Sequence, residues 1–287
     1  MRSALTGLDR ATRRFWRVTG RPVDLAGEHA WLSAPTSTGP TVGGTWVEAA
    51  ARAHGGTVVD PGGDGGPAGG LLTDMALLDG PSFRARDLRP EVRDFYEQTS
   101  RWRMEVRARW TPVFRPGGAA VTRIFARRVQ QLALPAPRGG ATLALDSSVR
   151  VIVGPDGQQR AAAWLRTMPS SGDHVFSGCY STRLLPDDAQ PSVHVAFPLE
   201  SGNVQVFLRP RVLAGGTLLL SSPTGRFGQP GAYVVVHDRG HHGARVPIHE
   251  TFVVHVDDEG VLRADHTLAL WGATAVRLSY RLTRADG

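Results

Sequence analysis

Between Arg101 and Trp110 the chain reads RWRMEVRARW, with an apolar residue at every even position and a charged one at every odd position. A helix would scatter both sets around its girth, whereas a strand sorts them onto two faces. The pattern predicts one strand that buries Trp102, Met104, Val106, Ala108 and Trp110 and shows Arg101, Arg103, Arg107 and Arg109 to water. Just upstream, Leu88, Val92, Phe95, Tyr96 and Thr99 fall at three-and-four spacing behind Pro90, which predicts an amphipathic helix. Downstream, FRPGGAAVTRIFARRVQQL returns to helical spacing. Val121, Ile124, Phe125, Val129 and Leu132 take one face, and Arg123, Arg127, Arg128, Gln130 and Gln131 the other.

From about Leu143 onward, β-rich runs alternate with turn residues. VRVIVGPDGQQRAAAWLRT reads as a hairpin with Pro-Asp-Gly at its tip. VFSGCYSTRL, SVHVAFPL, NVQVFLRPRVL, TLLLSS, AYVVVHD, RVPIHETFVVHV, VLRADHTLALW and AVRLSYRLT follow, with a further tip at Asp257 to Gly260. Some ten antiparallel strands exceed what an open twisted sheet holds comfortably, so closure into a barrel or a two-layer sandwich is expected. The fold class is therefore mainly β (α+β): an antiparallel barrel-like sheet of about ten strands with N-terminal helices packed on it, the helices between 88 and 134 plugging or covering it. Three regions are expected along the chain. Residues 1–60 form a small helical region, with a capping-box-like Thr6 and Asp9 and a second helix in TWVEAAARAHGG stopped by Gly55 and Gly56. Residues 61–70, PGGDGGPAGG, form a linker. Residues 71–287 form the helix-plus-barrel domain.

The segments FYEQTSRWRMEV, RRVQQL and LWGATAVRLSYRL resemble those of a family of uncharacterised bacterial proteins over roughly residues 70 to 283. The resemblance implies domain limits and no assigned activity. By strand count the architecture is also similar to calycin-type ligand-binding barrels.

Composition narrows the chemistry. All 33 basic residues are arginine, which excludes Schiff-base lysine enzymes, pyridoxal-phosphate enzymes and phosphate loops ending in Gly-Lys-Ser/Thr. A single cysteine, Cys179, excludes an intrachain disulfide and any multi-cysteine metal centre, and is expected to be buried and inert. The N-terminus has no apolar signal core, and no run approaches the roughly 18 apolar residues of a membrane helix. A cytoplasmic protein without a transmembrane segment is expected. The net charge of +7 is local, since Arg84 to Arg128 contains 12 arginines against 5 acids. Nucleic acid is a disfavoured partner all the same, because the aromatic residues of the decapeptide lie on the face opposite its arginines, where they cannot stack on bases beside neutralised phosphates. The basic helix from Ala119 to Leu134 is a candidate for a membrane surface only if its apolar face stays exposed.

One residue breaks the strand pattern in an informative way. In IHETFVVHV, Glu250 shares its parity with Ile248, Phe252, Val254 and Val256, so a regular strand sends its carboxylate into the apolar interior. Such a group is costly to keep charged, which suits a general acid or base; a structural Glu paired with Arg209 or Arg277 is the alternative. His266 shares parity with Leu268 and Leu270 and could meet Glu250 across strands, while its neighbour Asp265 must face the other way. The candidate catalytic residues are thus Glu250, His266 and Tyr180, with Arg209 as an anion holder and Trp164, Trp271 and Phe252 as ligand-binding walls. No metal site is expected: His249 and His255 stand roughly 20 Å apart on an extended chain, and His241 and His242 fall in a turn. The expected function is that of a pocket protein for a small, largely apolar molecule. It would act without a cofactor as an acid-base isomerase, cyclase or lyase, or as a carrier. The alternative is a non-enzymatic interaction module using the basic surface of residues 84–128. Oligomeric state stays open.

Overall fold

Strand β3 (Trp102–Trp110) takes the expected form, with burial alternating strictly from Trp102 to Ala108 and every charged side chain exposed; Trp110, at the end, is half-buried. The structure is a computed structural model that describes residues 13–37, 43–61, 69–111, 143–169 and 172–285. The expected basic helix from 119 to 134, the cap at Thr6 and Asp9 and most of the 61–70 linker lie outside the described residues.

Strand β3 is one stave of a closed antiparallel barrel of ten strands. In order around the wall, β8 (Gly202–Leu213) pairs with β7 (Ser192–Leu199), β6 (His174–Arg183), β5 (Gln159–Thr167) and β4 (Leu143–Val153) follow, then β3. Beyond β3 come β14 (Ala273–Arg284), β13 (Leu262–Leu270), β12 (Ile248–Val256) and β9 (Thr217–Ser221). Closure comes from β8, whose second half, Arg209 to Leu213, pairs with β9. Its first half, Gly202 to Phe207, pairs instead with β10 (Gly231–His237), which continues through β11 (His241–Val246) to β1 (Arg21–Pro22) as a branch of the sheet. AYVVVHD therefore lies in this branch, and β3 supplies the tenth stave. The run RVPIHETFVVHV, which alternation alone reads as continuous, divides at Pro247, with β11 in the branch and β12 in the barrel. Proline has no N–H to give a ladder, so it suits the point where the chain leaves one set of partners for another.

Helix α3 (Pro90–Glu97) plugs the barrel, as its apolar stripe requires: Val92, Phe95 and Tyr96 are buried, and Phe95 meets the rings of Trp102 and Trp164 edge-on at 6.0 and 6.1 Å. Residues 13–37 and 43–61 wrap the outside. A helix described over 13–19 (α1) is tied to the branch by Arg17 and Asp238 at 3.1 Å. Helix α2 (Val47–Ala53) lays Trp46, Val47, Ala50 and Ala51 on Ala161, Ala163, Cys179 and Ala196, the small outward residues of β5, β6 and β7. A strand flanked on both faces must be apolar on both, and AAAW on β5 is. Strand β2 (Thr57–Val59) pairs with β4 beside it.

A buried polar chain seats the segment between β1 and α2. Ser181 Oγ meets His194 Nδ1 at 3.0 Å, and His194 Nε2 meets Gln205 Oε1 at 2.8 Å. The Gln205 amide then donates to Asn203 Oδ1 and to the Leu32 carbonyl, each at 2.7 Å. With the glutamine oxygen facing Nε2, the imidazole is neutral, protonated on Nε2 and accepting at Nδ1. Every link is satisfied, which is the condition for burying such groups at all.

Candidate functional site

Inward parity on the barrel strands converges on a cavity of about 130 Å³ beneath α3. Its wall is mostly aliphatic and aromatic, with Phe95 and Tyr96 closing one side. Several inward positions are small, which is why space remains. Gly178 is the clearest: a Cβ there would lie 3.0 Å from the Phe176 ring and 3.5 Å from that of Phe197, so glycine is what lets these rings, and Trp164 opposite, crowd the wall. An apolar cavity of about 150 Å³ is enough to hold a benzene-sized guest.

Besides Tyr96, the polar side chains Arg166, Tyr180, Glu250, His266 and Tyr280 line the same space. Glu250 sits on β12 at the seam where β9 ends and β10 branches away. Ser222, buried just past β9, holds the backbone there, its hydroxyl accepting from the Glu250 N–H at 2.7 Å and its own N–H donating to the Glu250 carbonyl at 2.9 Å. The carboxylate Oε2 lies 3.3 Å from His266 Nε2, both side chains being about nine-tenths buried. The angle at that contact falls outside hydrogen-bond geometry, and a small rotation would turn it into a proton path. The His266 ring is stacked on Phe252, centroids 3.8 Å apart and 13° from parallel, which fixes its plane.

Arg166 projects from the last inward position of β5, where the pairing with β6 shifts register. Such irregularities at a barrel rim re-aim a side chain. Its guanidinium lies 3.7 Å over the Trp164 ring and 4.5 Å over that of Phe176. The Trp164 indole is anchored in turn by donating to Ser147 Oγ at 2.7 Å. Burial pushes the hydroxyl of Tyr180 well above the ordinary tyrosine range and raises that of Tyr280; the positive charge of Arg166, and at Tyr280 its hydrogen bond, oppose the shift and the negative charge of Glu250 reinforces it. Both tyrosines are therefore neutral donors at any working pH.

The expected site residues divide by placement. Glu250, His266, Tyr180, Trp164 and Phe252 all line the cavity. Arg209 and Trp271 do not. Arg209 belongs to the outward set of β8 and is held by Asp188, to which its Nε donates at 3.2 Å. Trp271 is 77% exposed at the β13–β14 turn, where it and Gly272 both take positive φ, the backbone of a two-residue type I′ hairpin. Arg277, the other arginine weighed as a partner for Glu250, is exposed on the outer face of β14. The cation that does enter the cavity, Arg166, went unweighed, although it shares parity with Trp164 and Ala162; Tyr280, in parity with Leu278 and Leu282, carried the same signal. Asp265 faces outward and accepts from Ser279, opposite in sense to His266 as strand geometry demands. Cys179 is buried, and its thiol is pushed up to about 12 by that burial. Among the described residues no three His, Cys, Asp or Glu side chains are grouped to hold a metal ion.

Comparison with known proteins adds one relative. Over 219 residues, 76% of this chain and 38% of the other, the sequence is 26% identical to the uncharacterised membrane protein YndJ of Bacillus subtilis. The chain thus spans well under half of that relative's length. No family model matches, and no solved structure matches. Among the described residues, no helix is long and apolar enough to cross a membrane.

Proposed function

We propose that the barrel holds a small, largely apolar molecule and that Glu250, with His266 beside it, moves a proton on that molecule without a cofactor, as an isomerase or cyclase does. The observation that carries this reading is the position of the carboxylate: it stands in a mostly apolar cavity, 3.3 Å from an imidazole and not from an arginine. A carboxylate kept only to cancel a buried cation would be expected beside one; this one has a group that can relay its proton. The stacked Phe252 fixes the imidazole plane. A carrier is the same container without the proton transfer. A cytoplasmic location belongs to the same proposal, supported by the lone, unpaired Cys179.

Native mass spectrometry of the full chain purified from its source, looking for a retained small molecule, tests the container. The chemistry is tested by following solvent-deuterium exchange into that molecule with wild type and with Glu250→Gln, which keeps the shape and removes the titration. A proton-transfer role predicts an unchanged melt and a loss of about 10²-fold or more in exchange rate. Equal exchange in both proteins leaves a carrier. A structural Glu would instead show as a large drop in melting temperature, on the scale of roughly 3 to 5 kcal/mol for a broken buried pair.

A further inference from the structure

We infer that the molecule held in the barrel is a monoanion, with a carboxylate head bound by Arg166 and a compact apolar body lying along the aromatic wall. The inference rests on the container reading above and adds the chemical class of the guest. Arg166 is 7% exposed, and its Nε is buried with no hydrogen-bond partner. It forms no ion pair among the described residues; Asp188 is taken by Arg209, and Glu250 by His266. A guanidinium carries five donors in a planar fork matched to a carboxylate, and here they are met mainly by the faces of Trp164 and Phe176. Stacking offsets part of the cost of burying that charge and the Tyr280 hydroxyl gives the fork one neutral partner, but no anion meets it among the described residues. Proteins bury a lone cation where a counter-ion arrives with the ligand, and the tyrosine hydroxyls of Tyr180 and Tyr280 line the same space as neutral donors for the remaining lone pairs of an incoming head.

The charge count limits the head to one negative charge. A dianion such as a phosphate monoester would bring a second charge with nothing left to meet it and would face the Glu250 carboxylate across a low-dielectric space. The body is limited by volume, since the cavity of about 130 Å³ admits a single aromatic ring or a short chain and no more. Held by its head at Arg166, such a guest presents its body to Glu250 and His266, which gives the proton-transfer pair a fixed carbon to work on.

The test uses the full chain and two matched probe pairs small enough for the cavity, benzoate against benzyl alcohol and butanoate against butan-1-ol, titrated by calorimetry at constant ionic strength. Wild type is expected to bind each acid at least about tenfold more tightly than its alcohol, the scale of one charge-assisted recognition. Arg166→Gln should erase that preference and leave alcohol affinity intact; Arg166→Lys, which keeps the charge and loses the fork, should restore part of it. Should Arg166→Gln fail to fold, the wild-type acid-to-alcohol ratio and the lysine variant still decide. Equal binding of acid and alcohol by wild type, or an acid preference that survives in Arg166→Gln, overturns the anionic head and leaves the apolar container standing. Binding of neither member of either pair overturns both.

Discussion

The histidine at the centre of the buried polar chain gives a prediction whose size follows from the structure. His194 is fully enclosed, stacked on Phe207 at 4.6 Å, and its ring is held at a pKa of about 3 by burial, aided by the nearby charge of Arg183 and opposed by its bond to Gln205. An unfolded histidine titrates at 6.5. Between those values the unfolded chain binds a proton that the folded one refuses, so stability is full above about pH 6.5 and falls as pH drops towards 3. The fall approaches a factor of ten in the folding equilibrium per pH unit, or about 3 kcal/mol by pH 4.5. Protonation would also turn the Nδ1 acceptor into a second donor, which the Ser181 hydroxyl could meet only by rotating to accept, so the cost lies in burying the charge and not in losing the bonds of Gln205 to Asn203 and Leu32.

The perturbation that isolates this effect is His194→Gln. Glutamine keeps one donor and one acceptor for Ser181 and Gln205 and cannot titrate, so it lowers stability by a constant amount through the lost stack on Phe207. Other groups also respond to acid: burial lowers the pKa of His54 and His237, and hydrogen bonds from arginine lower those of Glu48 and Asp257. They contribute equally to both proteins and cancel in the difference. Urea unfolding from pH 7.5 to 4.5 should show the wild-type advantage shrinking by about 3 kcal/mol, with most of the change below pH 6. An advantage that stays constant across this range would falsify the neutral, proton-refusing state assigned to His194.

Two further outcomes are expected. Trp271→Asn should raise stability by about 1 kcal/mol, or a few degrees of melting temperature, because a bulky residue at φ 50 is strained where asparagine is tolerated and the ring is 77% exposed; a lowered melt would mean that the ring has a role the turn does not explain. Cys179, buried beneath α2 with its thiol pushed up to about 12, should react with a thiol reagent only as fast as the protein unfolds; rapid labelling under native conditions would show that α2 lifts from the wall.

Strand parity made much of this site legible before any coordinates. It put Glu250 and His266 inside and Asp265 outside, because a carboxylate or imidazole flanked by Phe252, Val254 and Leu268 at two-residue spacing has one face to choose from. The same rule, carried through, sends Arg209 outward with Phe207 and Gln205, and Arg166 inward with Trp164. By parity the interior cation is Arg166 and not Arg209. Trp271 was mistaken for a wall because its size suggested burial, while the glycine after it signalled a hairpin tip. Partnership was harder to read than facing. Alternation tells which side of a strand is buried but not which strand lies beside it, so the division of β8 between β9 and β10, and with it the seam that seats Glu250, has no trace in local pattern.

The interior is arranged at a cost that a mere core would avoid. A cavity of about 130 Å³ left empty forfeits about 3 kcal/mol relative to a filled one, at about 24 cal/mol per Å³. A lone buried guanidinium adds to that, since an apolar isostere at position 166 would need no counter-charge. Both costs fall at the same place, and one larger side chain on the inward row, at Ala264, would reduce the first while leaving the strands intact. Volume and charge left unmatched together are hard to explain by packing and simple to explain by occupancy, because the entry of a single anion-headed guest fills the space and neutralises the cation in one event.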